Sequence, residues 1–328
     1  MMCDLPKLVS CAALALSSVV AMPSHAAEAD GYPARPIEAV VPFPAGGTFD
    51  VAFRTLQPRM AALLGVPVVV VNKTGAGGII GTDLVAKAAP DGYTLAATAS
   101  STVALVQVTM RDVVKYGVDT LVPIGNYATD VSAIVVDARS PWKTFAELLD
   151  HVRKSPAKVN VGTPGQGSVG ALVLDAMRKA EGLELTAVPF RGSPPANLAT
   201  MSGEVDFSVI AFGSAASLVA AGKLRVLAVT GQARLSGHPD IPTLKEAGIT
   251  SETLVFKLGL YAPAGTPEAV LDKLSAAMRT AVGDPAVAAS LQRMGLEVAF
   301  EDRAAAAAHL AKAYREAMDL GSRLGMLK

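Results

Sequence analysis

Two glycine-rich turns near the start of the chain carry the first chemical signal. One runs Pro42-Phe43-Pro44-Ala45-Gly46-Gly47-Thr48-Phe49-Asp50. The other runs Asn72-Lys73-Thr74-Gly75-Ala76-Gly77-Gly78-Ile79-Ile80-Gly81. Each follows an apolar run, Ile37 to Val41 and Val66 to Val71, and precedes a helix-like stretch. A glycine turn that opens a helix presents free backbone N–H groups at the positive end of the helix dipole, so main chain alone can hold an anion. Two such turns side by side suit a carboxylate or phosphate and need no cationic side chain. Glycine also serves tight turns for geometry alone, so a single loop is weak evidence. A third turn, Thr163-Pro164-Gly165-Gln166-Gly167-Ser168, strengthens the reading, because the carboxyl ends of strands in α/β sheets converge on one crevice.

Other chemistries fit less well. A dinucleotide fingerprint starting at Gly75 would place its third glycine where Ile80 stands. The following strand, Tyr93 to Ala99, also ends without the acid that reads a ribose. There is no Gly-Lys-Ser/Thr phosphate loop and no Gly-x-Ser-x-Gly elbow. His151, His238 and His309 lie far apart with no metal-ligand spacing, so neither a metal nor a cofactor is expected. Asp50 could serve as a general base, but its better role is to bind N–H groups at a helix start.

The elements that position these turns alternate. A strand at Ile37 to Val41 leads to a helix from about Asp50 to Leu64 that stops at Gly65. Pro58 is expected to kink or divide that helix. A strand at Val66 to Val71 precedes a helix from Ile79 to Ala89, with Ile80, Leu84 and Ala88 forming its apolar face. A third strand follows, and β-α-β-α-β order implies a parallel sheet with helices on both faces. Pro123 to Asp137 reads as a strand interrupted near Ala128-Thr129-Asp130. Thr144 and Glu147 make a capping box. Strands at Val159 to Thr163, Val188 to Phe190, Val205 to Ala211 and Leu224 to Thr230 then repeat the α/β pattern as a second unit. Phe256 to Ala262, a turn at Pro263 to Pro267 and terminal helices close the chain, with Leu310, Tyr314 and Met318 as a packing face.

The first residues read as a leader. Lys7, an apolar run from Leu8 to Met22 and small residues at Ser24 and Ala26 predict export with cleavage after Ala26. That run is short for a membrane span. Both cysteines, Cys3 and Cys11, fall in the leader, so the exported protein would carry no thiol. Lys+Arg and Asp+Glu are both 29, and a net charge of zero argues against nucleic acid and anionic membranes as partners. An anionic ligand would therefore be recognised locally and not by a broad field.

Several further segments join these motifs. Tyr32-Pro33-Ala34-Arg35-Pro36-Ile37, Ala89-Pro90-Asp91-Gly92-Tyr93-Thr94, Gly222-Lys223-Leu224-Arg225, Pro239-Asp240-Ile241-Pro242-Thr243 and Ala262-Pro263-Ala264-Gly265-Thr266-Pro267 are all present. Together they resemble the periplasmic substrate-binding proteins of tripartite tricarboxylate transporters, the Bug family, over essentially the whole mature chain. The resemblance implies a two-lobed type II Venus-flytrap α/β fold with two crossover strands. Residues 27–129 with 255–328 would form one lobe and 130–254 the other. It further implies a monomeric, non-enzymatic receptor for a small carboxylate, which it hands to the permease subunits of a tripartite transporter. A periplasmic sensor without a transporter, a periplasmic enzyme on this fold and a nucleotide-binding enzyme are the alternatives.

On this reading Ala45, Gly46, Gly47, Thr48, Phe49 and Asp50, with Thr74, Gly75, Ala76, Gly77 and Gly78, hold one carboxylate. Ser100 and Thr102 add hydroxyls. Thr163, Gln166, Gly167 and Ser168 face them from the second lobe, beside Arg191, Gly192 and Ser193. Arg191 is the one cation expected near the far end of the ligand. The hinge is expected near Thr129-Asp130 and Leu254-Val255. Ala171 stands where many members have histidine, Ile210 near where many have aspartate, and Phe49 where a small residue is usual. The aromatic usual before Gly259 is replaced in Phe256-Lys257-Leu258. These departures suggest either an apolar distal pocket, suiting an aromatic or longer-chain acid, or drift outside the pocket.

Overall fold

The structure is a computed structural model that describes residues 31–155, 158–235, 237–249 and 255–326. The expected leader with its cut after Ala26, and Leu254 of the expected hinge, lie outside the described residues. The first lobe opens with β1 (Ile37–Val41), α1 (Thr48–Leu64), β2 (Val68–Asn72), α2 (Ile79–Ala86) and β3 (Thr94–Ala99). β1 pairs in parallel with β2 on one side and β3 on the other. Ile37, Ala39, Val40 and Val41 are all buried, as a strand covered on both faces requires. Two short helices follow, α3 (Ser100–Ala104) and α4 (Val106–Thr109).

The long strand β4 (Leu121–Asp137) leaves this lobe. It leads into α5 (Phe145–Lys154), β5 (Asn160–Thr163), α6 (Val169–Glu181), β6 (Thr186–Pro189), α7 (Ser193–Ser202), β7 (Phe207–Ala211), α8 (Phe212–Ala220) and β8 (Leu224–Val229). The chain returns through β9 (Val255–Pro263) to α9 (Glu268–Val282), α10 (Pro285–Arg293), β10 (Glu297–Glu301) and α11 (Arg303–Leu324). From Leu121 to Val131, β4 pairs antiparallel with β9; from Ser132 onward it pairs with β7 and β8. One strand thus belongs to both sheets, and the fold is two-lobed α/β. The first sheet packs α1, α9 and α10 on one face and α2, α3 and α11 on the other. The second lobe places α5 and α6 on one face and α7 and α8 on the other.

Three local expectations are corrected. Pro58 does not divide α1, which runs unbroken for 17 residues. Proline removes one N–H, but its fixed φ is helical, and Phe53, Leu56, Met60 and Leu64 are buried on both sides of it. Ile80 and Leu84 do not form the buried face of α2: they are 57% and 41% exposed, while Ile79 and Val85 pack on Val40 and Ala96. Spacing defines the stripe, but the entry of the chain through Gly78 at φ 97° decides which way it turns. Finally, β4 is not interrupted near Thr129. Its polar residues are not a turn but buried groups at the crossing, where Asn126 donates to Glu301 Oε2 and the Ser132 N–H donates to Thr230 Oγ1.

The Thr144 box is present with both of its bonds: the Glu147 N–H donates to Thr144 Oγ1 and the Thr144 N–H to Glu147 Oε2, each at 3.2 Å. Thr144→Ala is expected to cost about 1 kcal/mol in chemical denaturation.

Candidate ligand-binding site

Five strand-to-helix turns meet between the lobes: those after β1 and β2 in the first lobe and after β5, β6 and β7 in the second, joined by the start of α3. The lobes touch here. A Cβ on Gly77 would stand 2.8 Å from Gln166 O, and one on Gly192 would stand 2.8 Å from Pro44 Cδ. Thr109 Oγ1 donates to Gly167 O at 3.5 Å.

The first turn is held from behind. Asp50, 3% exposed, accepts the Gly46 N–H at 2.9 Å, Arg54 Nε at 2.8 Å and Asn72 Nδ2 at 2.9 Å. Asn72 also donates to Phe43 O, and Arg54 donates to Asn72 Oδ1. The acid therefore does bind an N–H before the helix, and it ties the end of β2 to the turn after β1. With its donors in place it is not a free base and does not line the chamber. The N-cap of α1 is Gly47, and no side chain caps the helix. The first N–H groups of such a helix have no intrahelical partner.

These turns enclose a chamber. Phe43, Pro44, Gly47, Thr48 and Phe49 line it from the first turn, and Gly77 from the second. Ser101, Thr102 and Val106 come from α3 and α4. Pro164, Gly167, Ser168, Val169, Gly170, Gly192, Ser193 and Pro194 come from the second lobe. Ser132, Ala211 and Phe256 form its floor beside the crossing strands. Phe43 stacks on Phe49 with centroids 4.3 Å apart, and Phe49 meets Phe256 at 6.0 Å. No Lys, Arg, His, Asp or Glu lines this chamber.

The remaining residues named from sequence fall elsewhere. Thr74, Gly75, Ala76, Gly78, Gln166 and Arg191 line an outer mouth on the far side of the Gly77–Gln166 contact. Arg191 is exposed there and does not reach the inner chamber. Ala45 and Gly46 lie in the first turn but outside the lining. Ser100 is turned away, its Oγ accepting the Lys257 N–H at 3.2 Å, and its neighbour Ser101 takes the lining position. Thr163 and Ala171 line a separate depression behind Ser168. Ile210 is wholly buried with Val131, Ala133 and Phe212. Of Phe49, Ala171 and Ile210, only Phe49 faces the chamber. Lys257 pairs with Glu301 at 2.9 Å and leaves Phe256 to face inward.

Sequence reasoning missed Phe43, Pro44, Ser101, Val106, Ser132, Pro164, Val169, Gly170, Pro194, Ala211 and Phe256 as lining residues. Phe43, Pro44 and Pro164 stand within the quoted turns, and Ser132 is a polar residue inside an apolar strand; the others had no such signal.

Beneath the floor lies Asp130, 1% exposed. Its Oδ1 accepts the Val131 N–H at 2.8 Å and the Gly213 N–H at 3.4 Å. Its Oδ2, Thr48 Oγ1 and Ser132 Oγ have no partner. Burial pushes the Asp130 carboxyl up to about 7, against the opposing pull of its two backbone bonds and of the nearby Thr48 hydroxyl.

The sequence model of the Tripartite tricarboxylate transporter family receptor matches residues 52–319. The chain belongs to this receptor family. A UPF0065 protein of Bordetella pertussis is 35% identical over 276 residues, covering 84% of this chain and 85% of that protein. Among solved structures, periplasmic binding protein BugD superposes with TM-score 0.83 at 30% identity, covering 90% of this chain and 99% of that one. MatC from Rhodopseudomonas palustris with bound malate gives 0.82 at 29%, covering 88% and 100%. A second R. palustris protein, with adipate, gives 0.85 at 26%, covering 90% and 98%. Members of this receptor family are periplasmic binding proteins rather than enzymes. Among the described residues of this member, no helix is long and apolar enough to cross a membrane, and no group of three or more His, Cys, Asp or Glu could hold a metal ion.

The raised Asp130 pKa has a stability consequence. The unfolded carboxyl titrates near 3.8 and the folded one near 7, so between these values the folded state keeps a proton that the unfolded state has lost. Stability must fall as pH rises through this window. Relative to Asp130→Asn, the wild type is expected to lose on the order of 3 kcal/mol in urea unfolding between pH 4 and pH 8.

Proposed function

We propose that this receptor captures a small organic acid with an apolar body, an aliphatic chain or an aromatic ring, between its two lobes. The carrying observation is a chamber with an uncapped helix start and a wall of Phe43, Phe49 and Phe256, but no cationic side chain. In such a site backbone N–H groups and hydroxyls must neutralise the carboxylate, and the aromatic wall rewards a carbon skeleton over further hydroxyls. The malate and adipate held by the two R. palustris neighbours are both small organic acids, and of the two adipate has the aliphatic body. The body of the ligand would lie along Phe49 and Phe256, with its head at Gly47 to Phe49. Arg191 would act at the mouth, on the entering acid or on a long ligand's second carboxylate.

On this reading residues 1–26 are a leader that sends the chain to the periplasm. Residues 27–129 with 255–328 act as one lobe and 130–254 as the other. The receptor works as a monomer, and its closed form delivers the acid to the permease subunits of a tripartite transporter. Opening would be a hinge at the crossing strands, where β4 changes partner between Val131 and Ser132. The ligand favours closure because it touches both lobes only then.

Isothermal titration against succinate, malate, adipate, benzoate and terephthalate tests this. Adipate or an aromatic acid is expected to bind more tightly than malate. Tight malate binding with no aromatic or longer acid bound overturns the apolar-body reading, and no acid bound at all overturns the function. Gly77 has φ 64° and sits against Gln166 O. Gly77→Val should leave the protein folded by circular dichroism while costing binding about 1–3 kcal/mol, about fivefold or more; unchanged affinity in the folded variant counts against closure at this contact.

A further inference from the structure

Three buried oxygens of the crossing region have no partner: Thr48 Oγ1, Ser132 Oγ and Asp130 Oδ2. Thr48 and Ser132 line the chamber, whereas Asp130 stands behind them. A Cβ placed on Gly213 would lie 3.0 Å from Thr48 Oγ1 and 3.4 Å from Asp130 Oδ2, so both oxygens border the same glycine. The Gly213 N–H already donates to Asp130 Oδ1. Buried polar groups are rarely left single without a reason. Here Thr48 is a lining residue of the chamber, and its Oγ1, itself closed to solvent, borders the same glycine as the carboxyl oxygen.

A hydroxyl has one proton to donate. If Asp130 is ionised, Thr48 gives its proton to the carboxylate and turns only lone pairs to the chamber. If Asp130 is protonated, its O–H donates to Thr48 Oγ1, and the Thr48 O–H is free to donate into the chamber. A carboxylate ligand accepts hydrogen bonds and cannot donate them, so it fits only the second arrangement. Its negative charge also disfavours an ionised Asp130 nearby.

We propose that Asp130, acting through the Thr48 hydroxyl, is a positioning residue that couples carboxylate binding in the chamber to uptake of one proton. The inference rests on the carboxylate reading of the chamber. The ionisable groups around Asp130 are otherwise engaged. α1 brings Asp50, bound by Arg54 and Asn72; β9 brings Lys257, paired with Glu301 of β10; β7 and α8 carry none, and His238 lies against the far side of Phe212. Burial and hydrogen bonds, and no neighbouring charge, place the Asp130 titration near 7.

The test is titration of adipate, malate and benzoate into the full-length mature protein at pH 6 and pH 8, in buffers of different ionisation enthalpy. With one titrating group near 7, the binding-competent protonated fraction falls about tenfold over this range, and apparent affinity falls with it. Binding at pH 8 should take up close to one proton. Asp130→Asn places an N–H donor where the protonated acid would carry its O–H. It should bind at pH 8 about as tightly as the wild type does at pH 6, with no proton uptake. Thr48→Val, which removes the relay but keeps the shape, should bind weakly and equally at both pH values, and it decides the matter if Asp130→Asn does not fold. Acid binding that is flat with pH in the wild type overturns the coupling and leaves the function intact. A tenfold fall that persists in either variant also overturns it. If none of the three acids binds at either pH, the functional reading fails and the coupling with it.

Discussion

The carboxylate of Asp50 is the constraint on which the ligand chamber depends. A glycine turn has no side chains with which to hold its own shape, and an uncapped helix start leaves N–H groups in search of acceptors. Asp50 meets the first difficulty from inside the helix that the turn opens, by accepting the Gly46 N–H. It meets the second turn through Asn72, which bonds Asp50 and Phe43 O together. Arg54 closes the network on both partners. One buried acid thereby ties the backbone of two turns together from behind, and the helix start beside the chamber carries no side-chain cap. The chamber of this chain is lined without cations, and the Arg54–Asp50 pair sits behind the turn and not in front of it.

The second lobe supplies the opposing wall with little charge of its own. Its contacts with the first lobe run through small residues, Gly77 against Gln166 and Gly192 against Pro44, where any side chain would hold the lobes apart. The lobes meet closely enough that the chamber is shaped by Phe43, Phe49 and Phe256 on one side and by Pro164, Val169 and Pro194 on the other. At their common floor, β4 carries Asp130 and Ser132 through the point where it passes from one sheet to the next. Polar groups that would be costly in any central strand sit where the two lobes and the ligand space converge.

Much of this was legible in the chain. The α/β alternation, the two glycine turns, the Thr144–Glu147 box and the family motifs each rest on local spacing, and local spacing survives folding. The turns were recognised because a strand, glycines and a helix follow one another within a few residues. The failures have a common physical source. Ile80 and Leu84 make an apolar stripe, but which stripe faces inward depends on how Gly78 admits the helix to the sheet. The polar residues Thr129 and Asp130 resemble a break in a strand, because nothing local announces that β9 lies alongside and buries them. Ser100 and Ser101 are adjacent and alike, and only the Lys257 amide, 157 positions away, selects which one turns from the chamber.

The sequence by itself determined the receptor family and the two glycine turns between strand and helix, because each is a matter of residue type and short-range order. Only the tertiary structure decided what the chamber contains. It set Phe256 beside Phe49, moved Arg191 to the mouth, and withdrew Ala171 and Ile210 from the chamber. It also brought Thr48 of α1 and Asp130 of β4 to the same glycine, Gly213. These residues come from different strands and lobes, and their proximity depends on sheet register and lobe contact, which no short stretch of chain encodes.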